Sequence, residues 1–329
     1  MTSKHLIRLW IFLLFIVLCP VLSGAQPAAG NAAPGKWAVV NVPDAPLRAE
    51  AGYSSECVSQ SRMGMVVEVL DKSGYWVKVR TPEPYVGWVN ELALARRSKN
   101  GIAKYVAAPK WIVTAESAKV MSLPDAGGDN VCRVLMGNIV LKGADSVRDG
   151  WCSVVLPDGR KGWIMEDSVC DFASWASAEA EEGDAAKAGD IVSLAKSFMG
   201  CTYVWGGISV GHFDCSGLTG FCYFMNGILL PRDASQQAKC GVEVKFEDMQ
   251  AGDLVFFGNN SVGHVGICIG NHRIIHCSQL VRINSLVKGE PDYYSRKILH
   301  IRRILGHIGE GSGGFTARAV DPVSGAGIR

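Results

Sequence analysis

The chain has 329 residues, of which 48% are apolar and 19% are charged. This composition excludes a disordered or fibrous protein, and the length predicts two or three domains. Without Lys4 and Arg8, which lie in a predicted export signal, basic and acidic residues are equal in number. A sequence-independent nucleic-acid binder is therefore excluded, because such a protein needs a basic surface.

Residues 1–25 have the layout of a signal peptide. An apolar run from residue 9 to 19 follows two basic residues, and the small residues Ser23, Gly24 and Ala25 predict cleavage after Ala25. The run has about half of the ~20 residues that a membrane span needs. We expect export to the periplasm or cell envelope, with no membrane segment after processing. A lipid anchor on Cys19 is the alternative, although the bulky Leu18 precedes it.

Ten of the 11 cysteines follow the predicted signal. They lack the close regular spacing of a disulfide scaffold, and the chain is long enough to fold by packing alone. We expect few or no disulfides, with most of these cysteines buried as small apolar residues.

Residues 36–95 and 110–170 form a weak internal repeat. Met63-Gly64 matches Met136-Gly137, and Gly87-Trp88-Val89 matches Gly162-Trp163-Ile164. Both copies have short β-branched and aromatic runs broken by turn residues, which is typical of small antiparallel barrels. The pattern resembles bacterial Src-homology-3-type modules, so two all-β barrels are predicted. An unrelated β-sandwich is the alternative.

The remaining chain predicts an α+β domain at 190–305. Residues 171–189 are rich in Ala, Glu and Gly and are interpreted as a linker or solvated helix. Apolar spacing predicts helices over 190–199 and 215–225. An antiparallel sheet then follows. Its predicted strands are Leu254–Phe257, His264–Cys268, His272–Cys277 and Leu299–Ile304. Residues 306–329 contain seven glycines and are predicted to be a flexible tail.

Cys215 is the candidate nucleophile among the cysteines. It follows a glycine-broken loop and begins the second predicted helix, where unpaired amides and the helix dipole favour an anion. We expect its thiol pKa to fall from ~8.5 into the range of ~3.5 to 7.5. Cys222 lies on the same helix and is interpreted as core.

A predicted hairpin presents His264 and His276. Gly270 and Asn271 tolerate positive φ, so a three-residue loop from Ile269 to Asn271 is expected. That register opposes the two histidines directly on one face, where one imidazole can orient the other. A shift of one residue would put them on opposite faces.

The same residues allow two other chemistries, a metal site and a serine nucleophile. Cys268, His272 and His276 resemble zinc spacing, but the predicted register separates the pairs by about 13 Å, which exceeds the reach of one ion. We therefore expect no metal and no cofactor. Ser216 is an alternative nucleophile, but no acidic third member accompanies the two histidines.

Six motifs in order resemble the NlpC family of papain-like cysteine peptidases, which cut bacterial cell-wall stem peptides. They are Tyr203-Val204-Trp205-Gly206-Gly207, Phe213-Asp214-Cys215-Ser216-Gly217-Leu218, Leu230-Pro231-Arg232-Asp233-Ala234-Ser235-Gln236, Gly252-Asp253-Leu254-Val255-Phe256-Phe257, Gly263-His264-Val265-Gly266 and Ile275-His276. The resemblance implies a papain-like α+β fold. It also implies Cys215 as nucleophile, His264 as general base and acid, and His276 as the residue that orients His264.

The combination of this peptidase domain with two barrels resembles one subgroup of the NlpC family. Members of that subgroup hydrolyse the γ-D-glutamyl bond to an L-diamino acid, which is diaminopimelate or Lys. That subgroup requires a free amine on the L-Ala of the stem peptide. The resemblance implies Glu56 and Tyr85 of the first barrel as substrate-binding residues, together with Tyr203, Asp214 and Ser216. The alternative is a purely structural role for these residues, in which Asp214 only caps the helix, Glu56 is a solvated surface acid and Tyr85 packs in the barrel.

The expected partners are therefore peptidoglycan stem peptides (muropeptides), with no nucleic acid, and the protein is expected to be a monomer. Two rival functions stay open. The chain could bind the wall without cutting it, or it could be an amidase or acyltransferase that uses the same thiol and imidazoles.

Overall fold

The computed structural model describes residues 36–145, 147–181 and 184–319. The predicted signal peptide at 1–25 and the alternative anchor Cys19 lie outside the described residues. Within the described ranges, no helix combines the length and apolarity needed to cross a bilayer. All ten cysteines in these ranges are free thiols.

The first described region is a seven-stranded antiparallel sheet with the strand order β3-β2-β6-β5-β4-β1-β7. Its strands are β1 Trp37–Val40, β2 Asp44–Arg48, β3 Cys57–Arg62, β4 Val66–Ser73, β5 Trp76–Arg80, β6 Val86–Asn90 and β7 Leu94–Arg97. Alternate apolar side chains such as Val77, Val79 and Val89 are buried in its core. A helix, α1 Lys99–Ala107, follows it.

The second region repeats this topology, with the strand order β10-β9-β13-β12-β11-β8-β14. Its strands are β8 Lys110–Val113, β9 Ser117–Met121, β10 Asn130–Leu135, β11 Ile139–Lys142, β12 Trp151–Val155, β13 Lys161–Met165 and β14 Val169–Asp171. Gly87 in β6 and Gly162 in β13 hold equivalent places: a β-carbon there would lie 2.9 Å from Leu47 Cβ and 2.5 Å from Val120 Cγ1. The predicted all-β, Src-homology-3-type architecture is confirmed.

The third region has helices packed on a six-stranded antiparallel sheet of order β18-β23-β19-β20-β21-β22. Its helices are α3 Asp184–Ser197, α4 Cys215–Phe224 and α5 Ala234–Gln237. They are preceded by α2 Phe172–Glu181, which contacts β8 and β14 of the second barrel. The sheet strands are β18 Val242–Glu243, β19 Leu254–Gly258, β20 Val262–Gly270, β21 Arg273–Ser278, β22 Leu280–Ser285 and β23 Ile298–Arg303. Two-residue strands complete the region: β15 Ile208–Ser209, β16 His212–Phe213, β17 Ile228–Leu229, β24 Gly311–Ser312, β25 Phe315–Thr316 and β26 Arg318–Ala319. The predicted α+β class is confirmed.

The predicted linker at 171–189 is mostly helical. Helix α3 begins at residue 184, six residues before the predicted start, and buries Ala188 and Ile191. The indole N–H of Trp175 in α2 donates to the Met225 carbonyl at 3.0 Å. The alanine content that suggested a linker also gives a high helix propensity, and packing supplies the rest of the stability.

The predicted flexible tail is also ordered through residue 319. Gly313 and Gly314, at φ of 64° and 80°, form the turn between β24 and β25. Ala317 is fully buried, and β26 pairs with β17 of the third region. Here glycine serves tight turns rather than chain flexibility.

The barrels and the third region share packed interiors. Phe224 at the end of α4 and Leu229 belong to the first barrel's apolar cluster. Met63 of the first barrel belongs to the second barrel's cluster. The third region's own core surrounds α4 and includes Leu218 and Phe221. Helix α4 is therefore held from two sides.

Candidate active site

Cys215 is the first residue of α4, as its motif predicts. Asp214 is the N-cap, and its Oδ1 accepts from the Gly217 N–H at 2.7 Å. The backbone N–H groups of Val265 and Ser216 donate to the cysteine sulfur. Since Val265 follows His264 in β20, the sulfur lies against the backbone of the strand that carries the candidate base.

The expected low pKa of the Cys215 thiol is wrong. The side chain is only 8% exposed, and burial, followed by the neighbouring Asp214 carboxylate, raises its pKa to about 11. The two backbone N–H donors and Arg232 act in the opposite direction but do not outweigh desolvation. At neutral pH, Cys215 is therefore a thiol.

The register of the β20–β21 hairpin differs from the predicted one by two residues. Ile267 opposes Ile275 and Cys268 opposes Ile274, so the turn is Asn271–His272, with φ of 50° and 52°. Positive φ at both central residues is the geometry of a two-residue hairpin turn. Because strand side chains alternate with a period of two, this shift leaves His264 and His276 on one face.

The two imidazoles form a hydrogen-bonded chain with Asn284 of β22. His264 Nε2 lies 2.7 Å from His276 Nδ1, and His276 Nε2 lies 2.9 Å from Asn284 Oδ1. The amide of Asn284 is oriented by its Nδ2, which donates to the Asp292 carbonyl at 2.6 Å.

The hydrogen bonds between His264, His276 and Asn284 fix the positions of the ring protons. Since Asn284 Oδ1 is an acceptor, His276 carries its proton on Nε2 and accepts through Nδ1. His264 must then donate through Nε2. Its Nδ1 remains as the basic nitrogen that can take a proton.

Both imidazoles are neutral. Burial, followed by the charges of His276, Arg296 and Arg282, lowers the pKa of His264 to about 3. Burial lowers the pKa of His276 to about 4 despite its hydrogen bond to Asn284. Tyr294 contributes to this burial, since its ring lies 4.5 Å from that of His276 and 5.8 Å from that of His264.

A cleft of about 300 Å³ opens beside Cys215. Both the third region and the first barrel build its walls. The lining residues are Val58, Tyr85, Tyr203, Trp205, Asp214, Cys215, Ser216, Arg232, Asp233, Ala234, Ser235, Val262 and Gly263. Four of the five predicted substrate-binding residues therefore line it: Tyr85, Tyr203, Asp214 and Ser216.

Asp214 is fully engaged within the protein. Its carboxylate pairs with Arg232 at 2.5 Å, and it accepts from the Gly206 and Gly217 amides and the Ser216 hydroxyl. Asp214 and Arg232 are only 4% and 5% exposed. The structure thus favours the capping role for Asp214 over direct contact with a substrate cation.

Arg232 joins this site to the first barrel. Its Nε donates to Ser59 Oγ at 2.9 Å, and its Nη1 donates to Ser216 Oγ at 2.9 Å. Arg232 belongs to the Leu230–Gln236 motif but was not among the predicted site residues.

The predicted residue Glu56 is exposed and does not line the cleft. Its charge reaches Tyr85, whose pKa is raised by burial, by Asp233, and by Glu56 and Asp214. Burial also raises the pKa of Asp233, which lines the cleft next to Arg232. Asp233 was missed, although it follows Arg232 in the quoted motif.

Asn284 and Tyr294 were missed as well. Asn284 had a weak signal, because asparagine is depleted in strands and here directly follows Ile283 in β22. Tyr294 had none, since it lies in the loop between β22 and β23. In the described parts of the chain, no cluster of three or more metal-ligating side chains occurs.

Comparisons with known proteins point to two families. Residues 200–303 match the NlpC/P60 family, and residues 43–94 match the bacterial SH3 domain. A gamma-D-glutamyl-L-lysine dipeptidyl-peptidase from Bacillus cereus is 30% identical over 259 residues, 75% of each chain. Dipeptidyl-peptidase 6 from Lysinibacillus sphaericus is 27% identical, over 78% of this chain and 94% of that protein.

The solved structure of an NlpC/P60 family protein from Bacillus cereus matches with a TM-score of 0.68 and 27% identity. It covers 82% of this chain and 99% of the other. With the thiol at the start of α4, the imidazole pair on the sheet and these relatives, the chain belongs to the NlpC/P60 family and is a cysteine peptidase of the peptidoglycan-hydrolysing type.

Proposed function

We propose that the protein hydrolyses the γ-D-glutamyl bond to an L-diamino acid in stem peptides whose L-Ala has a free amine. The observation that carries this proposal is the composition of the cleft. The first barrel contributes Val58 and Tyr85 to the same 300 Å³ cavity that holds Cys215. A cavity of that size, walled by a second domain, suits a short peptide end better than a continuous chain.

The resting groups are a neutral thiol and a neutral imidazole, so attack requires a proton transfer. The Cys215 proton moves to His264 Nδ1 as sulfur bonds to the γ-carbonyl carbon. The resulting imidazolium gives that proton to the departing diamino-acid amine, and the C–N bond breaks. Water, deprotonated by His264, then hydrolyses the thioester and restores the thiol.

Two donors are placed to stabilise the oxyanion. The Cys215 N–H belongs to the first turn of α4, whose amides have no acceptor within the helix. The Tyr203 hydroxyl lines the cleft, and burial and the neighbouring Cys215 raise its pKa, so it keeps its proton. Both can donate to negative charge that develops on the carbonyl oxygen.

Asp233 is our candidate for the principal ammonium partner, with Glu56 and Tyr85 beside it. Three charged residues line the cleft within the ranges that the structure describes: Asp214, Arg232 and Asp233. Asp214 and Arg232 form an ion pair and neutralise each other. Asp233 is therefore the cleft carboxylate that is left to pair with a substrate ammonium by charge-assisted hydrogen bonds. An acylated amine would leave this carboxylate unpaired.

The test is incubation with L-Ala-γ-D-Glu-L-Lys and with its N-acetylated form, read by product mass. We expect L-Ala-D-Glu and free Lys from the first peptide, and at least about tenfold slower release from the second. Equal rates on both peptides would remove the amine requirement. A different product would favour an amidase or acyltransferase, and retention on intact wall without product would favour a binding protein.

Matched variants separate the roles. Cys215→Ala should abolish product release without unfolding the chain. Tyr85→Phe should reduce the difference in cleavage rate between the free and the acetylated peptide. Tyr75→Phe, at a side chain 74% exposed in the same barrel, should leave that difference unchanged. An active Cys215→Ala variant would contradict the assignment of the nucleophile.

We also propose that the enzyme acts in the cell envelope. The support is the signal-like layout of residues 1–25. Mass spectrometry of the N-terminus of the secreted or periplasmic protein tests this, and a mature chain that begins after Ala25 is expected. A chain that retains Met1 in the cytoplasm would contradict it.

A further inference from the structure

Arg282 and Arg296 lie near the catalytic imidazoles and have no role in the proposed peptide hydrolysis. Arg296 lies in the loop between β22 and β23, and its Nη2 is 3.7 Å from the point where a β-carbon of Gly263 would stand. Gly263 lines the cleft and directly precedes His264. The Arg296 guanidinium is therefore at the edge of the cleft, next to the general base.

Arg282 stands behind it on β22. It opposes His276 in the strand pairing, so the two side chains share a face of the sheet. Its Nε is buried and has no hydrogen-bond partner among the described residues. A buried, unpartnered guanidinium N–H is costly unless a ligand or water satisfies it.

The acidic residues nearby do not neutralise this pair. Glu290 and Asp292, in the same loop as Arg296, both pair with Arg273, Glu290 at 3.3 Å. In the described ranges, no carboxylate lies within ion-pair distance of Arg282 or Arg296. Two positive charges near His264 therefore have no carboxylate partner among the described residues.

We propose that Arg296, with Arg282 behind it, forms an anion subsite that binds a substrate carboxylate next to the scissile bond. This inference rests on the proposed function for the identity of the substrate. A γ-linked D-Glu has a free α-carboxylate, and the leaving diamino acid has its own, so the peptide offers this chemistry on both sides of the bond. Guanidinium groups bind carboxylates in a planar, two-point geometry that a lysine lacks.

Carboxylate binding would also act on the base. Arg296 and Arg282 both lower the pKa of His264, so an anion bound to them would weaken that effect and make the imidazole more basic. The correct substrate would thus help prepare the group that accepts the Cys215 proton.

The first test uses three peptides: L-Ala-γ-D-Glu-L-Lys, the same peptide with its C-terminal carboxyl amidated, and the same peptide with the D-Glu α-carboxyl amidated. We expect one amidated peptide to lose about tenfold in kcat/KM, which identifies the carboxylate that is bound. Arg296→Gln should remove that discrimination, Arg296→Lys should restore it in part, and Lys297→Gln, at the exposed neighbour, should retain it. Equal cleavage of all three peptides by the wild-type enzyme would overturn the subsite.

The second test does not need peptidase activity. Cys215 is alkylated with iodoacetate and with iodoacetamide, which differ in charge, and the modified peptide is quantified by mass spectrometry. The iodoacetate rate divided by the iodoacetamide rate should fall about tenfold in Arg296→Gln, because the anionic reagent loses its binding site. In Lys297→Gln this ratio should stay at the wild-type value. An unchanged ratio in Arg296→Gln overturns the anion subsite. A changed ratio in a protein that cleaves none of the peptides would support the subsite while rejecting the proposed function.

Discussion

Cys215 shows that a residue's place at a helix start does not by itself set its charge. The helix-start position was predicted correctly, but the expected thiolate was not. Two backbone donors stabilise the anion, while burial and Asp214 oppose it, and the pKa rises to about 11. His264 and His276 are likewise held neutral by burial. In the resting site the thiol and both imidazoles are therefore uncharged.

The raised thiol pKa predicts how Cys215 reacts with iodoacetamide. Below a pKa of about 11, the thiolate fraction rises tenfold for each pH unit. The alkylation rate at Cys215 should therefore increase steadily from pH 6 to pH 9, as measured by mass spectrometry of the modified peptide. A rate that is flat over this range would instead indicate a preformed thiolate–imidazolium pair.

The His264–His276–Asn284 chain predicts a positioning role for Asn284. Asn284→Ala removes the acceptor that fixes the His276 tautomer, so kcat should fall at least about tenfold with little change in KM. Asn284→Asp, which keeps an acceptor at this place, should recover part of kcat.

Steady-state kinetics on the tripeptide test this prediction, with Asn130→Ala on the second barrel as the control. A KM change with an unaltered kcat would show that Asn284 acts on substrate binding instead.

At the scale of elements, α4 is anchored to the first barrel through a buried ion pair. Arg232 joins the N-cap Asp214 to Ser59 of β3. A second contact supports the preceding loop: the Gln60 side chain accepts from the Ile208 N–H at 2.8 Å, and Arg62 donates to the Ile208 carbonyl at 2.9 Å. The strand β3 therefore positions the residues that lead into the nucleophile.

Removal of one partner from this ion pair should be costly. Arg232→Leu leaves the Asp214 carboxylate buried without its cation, and we expect a loss of about 3–5 kcal/mol in the free energy of unfolding. Arg160→Leu removes an exposed pair with Asp158, at 2.7 Å, and should cost no more than about 1 kcal/mol.

Urea denaturation measures both variants. Similar losses for Arg232→Leu and Arg160→Leu would mean that the buried pair contributes no more than a surface one.

At the scale of the whole molecule, the barrels are part of the enzyme's structure. Phe224, fully buried at the end of α4, packs in the first barrel's cluster rather than in the peptidase core alone. Its ring lies 5.6 Å from that of Trp175, and the Arg62 guanidinium lies 4.6 Å from its centre. The described chain is thus expected to unfold as a unit.

Phe224→Ala should weaken that coupling. The change removes a large side chain from a packed interface and should cost about 3–5 kcal/mol. We expect coincident transitions by tryptophan fluorescence and circular dichroism in the wild type, and separated ones in the variant. Phe246→Ala, at a side chain 37% exposed, should keep a single transition. Separate transitions already in the wild type would contradict the shared core.

The sequence by itself determined the order and type of the regions. The repeat predicted two similar all-β units, and the apolar spacing placed α4 with Cys215 at its start. The face shared by His264 and His276 followed from strand alternation, which is why it survived a two-residue error in register. These features are local, since they depend on periodicity, turn residues and spacing within a few tens of residues.

Only the tertiary structure decided which distant groups meet and how strongly they are buried. The contacts of Ser59 with Arg232 and of His276 with Asn284 join residues whose spacing in the sequence does not indicate contact. The pKa values of Cys215 and His264 depend on desolvation, which is a property of the packed molecule. The ordering of residues 171–181, 184–189 and 306–319 depends in the same way on surfaces that other parts of the chain supply.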